Sequence, residues 1–124
     1  AQVAALSDDI AYNNHDIDDG IAAGLFTIED LMQLPVVGDV FRGVRVEYPA
    51  IDDRMVTYEA VRRLIGLWIN DLVTETRARV KLHKPKSAAD VRAMDTPLIA
   101  FSEALEAPQR ALRTFLSVSY THLT

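Results

Sequence analysis

Residues 7–20 read SDDIAYNNHDIDDG and contain five aspartates, one histidine and one tyrosine. Around them, from residue 2 to residue 19, apolar residues recur every three or four positions, as in an amphipathic helix. At about 100° per residue, the apolar side carries Val3, Leu6, Ile10, Ile17 and Ile21. The opposite side carries Asp8, Tyr12, His15 and Asp19 within about 40° of Asp8, with Asp16 at its edge. The segment therefore predicts a helix with one buried face and one acidic face.

The residues alone leave two interpretations of the acidic face open. An Asp-rich face opposite an apolar face is commonly a solvated helix surface. Carboxylates and imidazole are also the ligand set of a hard or borderline divalent metal, and a tyrosine one turn along the helix can contact a ligand of that metal.

Composition limits the class of protein. The chain has 124 residues, which is at most one domain or a piece of a larger one. Its net charge of -5 argues against indiscriminate nucleic-acid binding, which requires Lys and Arg at phosphates. The absence of cysteine excludes disulfides and thiolate metal sites and is compatible with a cytoplasmic protein. No apolar run approaches the roughly 18 residues of a membrane span.

The rest of the chain predicts an all-α fold of about five to seven helices joined by short loops. Polar residues stand where an N-cap is expected at three places: Thr27, Asp52 or Asp53, and Ser87. Thr27 and Ser87 each have an aspartate three positions later, which is the spacing of a capping box. We expect a short helix from Thr27 to about Leu34 and another from Ser87 to about Met94. Residues 36–46 have near-helical apolar spacing, but their two glycines leave a strand open.

The longest predicted helix runs to about His83. We expect its buried stripe to consist of Met55, Tyr58, Val61, Leu64 or Ile65, Trp68, Leu72 and Thr76. A rotated set, Ile69, Val73 and Val80, predicts that this helix is covered on more than one side. The last helix reads as 103–117 with Ser102 as its cap, but Pro108 inside it indicates a first turn, which moves the expected start to about Ala107.

Both ends of the sequence are atypical. The first residues are already in helical register without a cap ahead of them, which predicts that the natural protein continues upstream. Residues 118–124 read like the translation of a transposon-type sequencing adapter, so we give Tyr120 and His122 no functional weight. We therefore expect the chain to be a fragment of a longer protein.

The segment Ser7–Gly20, followed by Ala23-Gly24-Leu25-Phe26, resembles the last conserved motif of the HD-domain deoxynucleoside triphosphate triphosphohydrolases. More narrowly, it resembles the bacterial deoxyguanosinetriphosphate triphosphohydrolase-like proteins. The resemblance continues more loosely to about Ser117. It implies that residues 1–46 are the C-terminal part of an HD domain and that 47–117 are the helical domain that accompanies it.

The resemblance also implies a reaction and roles for three residues. The family hydrolyses a deoxynucleoside triphosphate to the deoxynucleoside and triphosphate, using a divalent metal held by a His, a His-Asp pair and a final Asp. Asp8 matches that final metal ligand. Tyr12 matches a residue that contacts the substrate triphosphate, and Asp16 matches a residue near the sugar 3′-hydroxyl. Mg²⁺, Mn²⁺ and Fe²⁺ all suit such ligands.

The upstream histidine ligands and the catalytic histidine of the family have no counterpart in this sequence, so no catalytic residue is assigned. We expect the chain alone to be inactive and its longer parent to be an enzyme. The resemblance implies a homo-oligomer without a membrane partner, and it leaves room for an effector nucleotide. Two rival classes stay open: another HD-superfamily nucleotide phosphohydrolase, and a non-enzymatic helical interaction module.

Overall fold

A computed structural model describes residues 2–121, which form six helices and no strand within that range. The helices are α1 (Gln2–Ala22), α2 (Ile28–Leu31), α3 (Val37–Glu47), α4 (Asp53–His83), α5 (Ala88–Arg92) and α6 (Glu103–Thr121). The predicted all-α fold is confirmed, and so is the predicted number of helices. None of the helices in this part of the chain is long and apolar enough to cross a membrane.

The N-caps predicted for α2, α4 and α5 are present. Thr27 and Asp30 form a reciprocal capping box, in which each side chain accepts a hydrogen bond from the other residue's backbone N–H. Asp52, and not Asp53, caps α4 by accepting from the Met55 N–H at 2.9 Å. Ser87 accepts from the Asp90 N–H and begins α5. The helices α2 and α5 end three and two residues earlier than predicted, at Leu31 and Arg92.

The C-terminus of α1 is set by Gly24, which has a φ of 74°. The Leu25 N–H donates to the Gly20 carbonyl and the Gly24 N–H donates to the Ile21 carbonyl, the two bonds of a Schellman motif. Gly20 itself lies inside the helix. A Cβ there would lie 2.2 Å from the Phe26 ring, so Gly20 allows the chain after the turn to pack against α1.

Residues 37–47 are a helix, which resolves the choice between helix and strand that the sequence left open. The helix follows a tight γ-turn at Val36, where the Val37 N–H donates to the Pro35 carbonyl at 2.7 Å. Val36 has a φ of 66° and a ψ of -55°, a strained conformation for a β-branched residue. The Val36 side chain packs against the hydrophobic core while the backbone holds this strained conformation.

The helix α4 is the centre of the fold and packs against both α1 and α3. Leu64, Trp68 and Leu72 are buried as predicted, and Trp68 meets the Phe101 ring edge-on at 6.0 Å between centroids. The predicted stripe is wrong at the start of the helix, where Met55 and Tyr58 are exposed. Val56 and Ala60 are buried instead. With Leu64, Trp68 and Leu72 they form a buried stripe in which every fourth residue faces the core.

The expectation that the rotated apolar set of α4 is covered is wrong for the described residues. Ile69, Val73 and Val80 are all exposed. The periodicity of the sequence identified these residues as apolar, but no other element of the described chain covers them.

The last helix starts at Glu103, directly after Ser102, so the expected start at about Ala107 is wrong. The Ser102 carbonyl accepts from the Leu105 and Glu106 N–H groups, which fixes the first turn. Asp71 of α4 anchors this start by accepting hydrogen bonds from the Ser102 N–H and hydroxyl at 2.8 and 2.6 Å. Pro108 lies inside the helix with its ring buried, so packing offsets part of the cost of the backbone hydrogen bond that it cannot donate.

The helix α6 runs alongside α1 in the same direction. Arg113 contacts Asp9 near the start of α1, and the Tyr120 hydroxyl donates to the Asp16 carbonyl further along. The helix includes residues 118–121, whereas His122 lies outside the described residues. Side chains from both sides of the predicted boundary at residue 46 share one hydrophobic core, and the division into two domains stays a prediction.

Candidate functional site

The candidate site residues lie on three successive turns of α1. Asp8, Tyr12 and Asp16 are four residues apart, so each is about 6 Å further along the axis and rotated by about 40° from the one before. The buried residues of α1, Ile10 and Ile17 among them, hold the other side of the helix against α4 and α6. The backbone of a packed helix therefore fixes the three side chains relative to one another.

Asp8 and Tyr12 face solvent. Tyr12 is 66% exposed, and Asp8 is exposed as well. Neither side chain makes a hydrogen bond or an ion pair with any residue between 2 and 121. Both groups are therefore available to a ligand without breaking an existing contact.

Asp16 lies at the edge of the same face and is half-buried. Its backbone carbonyl accepts the Tyr120 hydroxyl at 2.7 Å. Burial raises the pKa of the Asp16 carboxyl above its usual value; the neighbouring His15 opposes this and the Asp19 carboxylate adds to it. Burial and the Asp16 carboxylate also raise the pKa of Tyr120. The surroundings of Asp16 thus disfavour its charged form.

Three further polar residues of this helix have partners within the protein. Asp9 accepts from the Arg113 guanidinium of α6 at 2.7 Å. His15 pairs with Asp19 one turn later, with 3.0 Å between Nε2 and Oδ2, and both side chains are exposed. The sequence assigned no role to Asp9, His15, Asp18 or Asp19. The structure gives three of them intramolecular contacts, whereas Asp18 is exposed and has no partner among residues 2–121.

A metal ion cannot be held by the described residues alone. Between residues 2 and 121 there is no group of three or more His, Cys, Asp and Glu side chains arranged to bind one. Asp8 supplies a single carboxylate, whereas divalent metals in proteins take several protein or water ligands. The described residues therefore supply one ligand of a metal site, Asp8. The predicted divalent metal remains a proposal for a longer protein.

Asn14 is a polar residue that the sequence analysis did not single out. It is 1% exposed, on the side of α1 that faces the core. Its Nδ2 donates to the Ile10 carbonyl at 2.8 Å, while its Oδ1 has no hydrogen-bond partner in the described chain. The signal that could have identified it is the apolar stripe of α1, since Asn14 falls between Ile10 and Ile17 at helical spacing.

The resemblance found in residues 7–26 is confirmed by comparison with curated proteins and extends over most of the chain. Over 116 residues, 94% of the chain, the sequence is 60% identical to a deoxyguanosinetriphosphate triphosphohydrolase-like protein of Parvibaculum lavamentivorans. Relatives of the same name in Caulobacter vibrioides and Cereibacter sphaeroides are 51% and 40% identical over the same length. No family model matches the chain.

The match covers only a part of each relative. The chain spans 29% of the length of the Parvibaculum and Caulobacter proteins and 31% of the Cereibacter protein. More than two thirds of each relative therefore lies outside the region that this chain resembles.

Proposed function

We propose that this chain is part of a triphosphohydrolase of the kind that its relatives' name describes, which converts a deoxynucleoside triphosphate to the deoxynucleoside and triphosphate. In that protein Asp8 is one ligand of a divalent metal, Tyr12 contacts the triphosphate, and the Asp16 carboxylate accepts a hydrogen bond from the sugar 3′-hydroxyl. The metal would act as a Lewis acid at the phosphate. The proposal leaves the choice among Mg²⁺, Mn²⁺ and Fe²⁺ open.

The observation that carries the proposal is that Asp8 and Tyr12 lie one turn apart on α1, exposed and without an intramolecular partner. Asp9 and His15 are bound to Arg113 and Asp19, whereas Asp8, Tyr12 and the exposed Asp18 have no partner within the described chain. This pattern supports a ligand role for Asp8 and Tyr12.

The position of Asp16 supports its assigned role in a different way. It is half-buried and lies one turn beyond Tyr12, at the edge of the exposed face. Partial burial limits competition from water, so that a hydrogen bond to a sugar hydroxyl contributes more there than at a fully exposed carboxylate.

The remaining metal ligands have to come from the part of the longer protein that this chain does not match. We therefore expect the 124-residue chain alone to release no triphosphate. For the longer protein we also propose a homo-oligomer and leave room for an effector nucleotide. Both rest on the resemblance alone.

A chimera tests the assignment. The matching 116 residues of the Parvibaculum relative are replaced by those of this chain, and triphosphate release from each deoxynucleoside triphosphate is measured with Mg²⁺, Mn²⁺ or Fe²⁺. We expect Asp8→Ala to lower both bound metal and turnover. Tyr12→Phe should raise KM because it removes one substrate contact. Asp18→Ala is the matched control, since Asp18 is an exposed aspartate of the same helix with no proposed role.

Three results would contradict the proposal. Unchanged metal content in Asp8→Ala would remove the metal role and favour a helical interaction module. An equal loss of turnover in Asp18→Ala would mean that the acidic face acts only through its total charge. Metal-dependent triphosphate release by the isolated chain, lost in Asp8→Ala, would show that the described residues are sufficient.

A further inference from the structure

An apolar groove lies between α1 and α4, beside the acidic face of α1. It has a volume of about 470 Å³. Its walls are formed by Val3 and Ile10 of α1 and by Ile69, Val73, Thr76 and Arg77 of α4, together with other apolar residues. The groove is therefore lined by Ile69 and Val73, two of the three residues of the rotated apolar set that the sequence predicted to be covered.

The aliphatic side chains of the groove are unusually exposed for a helical core. Val3 is 58% exposed, Ile69 49% and Val73 42%. They are neighbours across two packed helices rather than single residues scattered over the surface. A contiguous exposed apolar surface in a concave position marks a site that binds another molecule or another part of the same protein.

Two polar groups at the groove indicate what its occupant carries. The Thr76 Oγ1 is buried and has no hydrogen-bond partner among residues 2–121. The Arg77 guanidinium is exposed and makes no ion pair with a described residue, although Arg79 on the same helix pairs with Glu75. An occupant with an apolar surface and a carboxylate at one edge would satisfy both the aliphatic walls and Arg77.

A second copy of the chain fits the groove less well. Two grooves placed face to face would bring two Arg77 side chains to the interface, and the lining contains no carboxylate to pair with them. The relatives, in contrast, have more than two thirds of their length outside the matched region. That length provides ample chain for a further helix packed on α1 and α4.

We infer that this groove is the docking site for an amphipathic helix from the unmatched part of the longer protein. The apolar face of that helix packs on Val3, Ile69 and Val73, and an acidic side chain at its edge pairs with Arg77. The contact is intramolecular in the longer protein and exposed in this chain. The inference rests on the proposal that this chain is part of a longer protein, but because it concerns packing it does not depend on the proposed hydrolysis.

Cysteine labelling tests the inference cleanly because the chain contains no cysteine. Ile69→Cys and Val73→Cys report on the groove, and Leu82→Cys is the control, since Leu82 lies on the same helix, is 75% exposed and does not line the groove. Alkylation rates are measured in the isolated chain and in the chimera with the Parvibaculum relative, with peptide mapping to separate any cysteines of the host. Circular dichroism checks that each variant is folded.

We expect Ile69→Cys and Val73→Cys to react in the isolated chain at a rate that does not depend on protein concentration. In the chimera both should react at least about tenfold more slowly, because labelling then requires local opening, whereas Leu82→Cys should be unchanged. A charge-reversed Arg77→Glu in the chimera should restore part of the labelling at Ile69→Cys.

Four outcomes would overturn the inference. The groove positions would react equally fast in both proteins if nothing from the longer chain covers them. Slowing in the isolated chain that grows with concentration would identify a second copy as the occupant. A copurified small molecule found by native mass spectrometry would identify a ligand pocket. Equal slowing at Leu82→Cys would mean that the protection is not specific to the groove.

Discussion

Two glycine-to-alanine substitutions test the helix packing, because the same added methyl group meets different surroundings. Gly38 lies in the first turn of α3, where a Cβ would lie 2.4 Å from the Met32 carbonyl oxygen and 2.9 Å from its carbonyl carbon. Gly66 lies in the middle of α4, where a Cβ would meet no atom within 4 Å. We therefore expect opposite effects on the free energy of unfolding.

The magnitudes follow from these surroundings. Gly66→Ala reduces the freedom of the unfolded chain and improves helix propensity, which should add about 0.5–1 kcal/mol. Gly38→Ala gains the same intrinsic term, but the backbone of Met32 has to move, and such overpacking costs about 1–3 kcal/mol. We expect a net loss of about 1 kcal/mol. The two variants should then differ by roughly 2 kcal/mol, which is about 8 °C in Tm for a chain of this size.

Urea unfolding provides the measurement. The chain has a single tryptophan, and Trp68 is buried against Phe101, so its fluorescence reports on the core directly. Circular dichroism follows the helices in parallel, and coincident transitions justify a two-state analysis. The urea dependence of the free energy should be unchanged in both variants, because neither substitution alters the surface exposed on unfolding.

The reasoning would be refuted by a Gly38→Ala variant at least as stable as the unsubstituted chain. That result would mean that α3 does not approach the Met32 carbonyl as described. A destabilised Gly66→Ala would instead show that the exposed face of α4 is in contact with something, since open space gives no reason for a loss.

Two further predictions concern the core and the ion pairs of α4. Leu64→Ala should lower the free energy of unfolding by about 2–5 kcal/mol because Leu64 is fully buried, whereas Leu82→Ala, at an exposed position of the same helix, should change it by less than about 0.5 kcal/mol; equal effects in urea unfolding would contradict the burial pattern. Glu59 accepts hydrogen bonds from Arg62 and Arg63, which lower the pKa of its carboxyl from 4.5 to about 2. Since the folded-state pKa is depressed, this stabilisation is complete above pH 4.5 and is lost as the pH falls through about 2. Unfolding followed by circular dichroism at several pH values should therefore show a smaller loss of stability on acidification in Glu59→Gln than in Glu103→Gln, and identical acid sensitivity would exclude the depressed pKa.

Local signals in the sequence predicted the starts of helices well. Thr27, Asp52 and Ser87 cap their helices because each needs only a hydrogen bond to a backbone N–H three residues away. Reliance on short-range signals also explains why the start of α6 was wrongly predicted from Pro108. Its effect on α6 was judged from local rules, but Asp71 of α4 fixes the start of that helix at Ser102.

The candidate site could be predicted in part. Residue spacing placed Asp8, Tyr12 and Asp16 on one helix, since four-residue intervals bring side chains to the same face. Which of the acidic residues are unpaired could not be predicted, because Asp9 is bound by Arg113, about a hundred positions away in the chain. The buried Asn14 was missed for a related reason, since its surroundings depend on how α1 packs.

The sequence by itself determined that this chain is helical, where several helices begin and that Trp68 belongs to the core, because these properties follow from periodicity and short-range hydrogen bonds. Only the tertiary structure decided that residues 37–47 are a helix and that α4 buries Val56 and Ala60 instead of Met55 and Tyr58. It also decided that the side of α4 that carries Ile69 and Val73 is exposed. Which apolar residues of a long helix are buried depends on the elements that pack against it, and the sequence of the helix does not specify those elements.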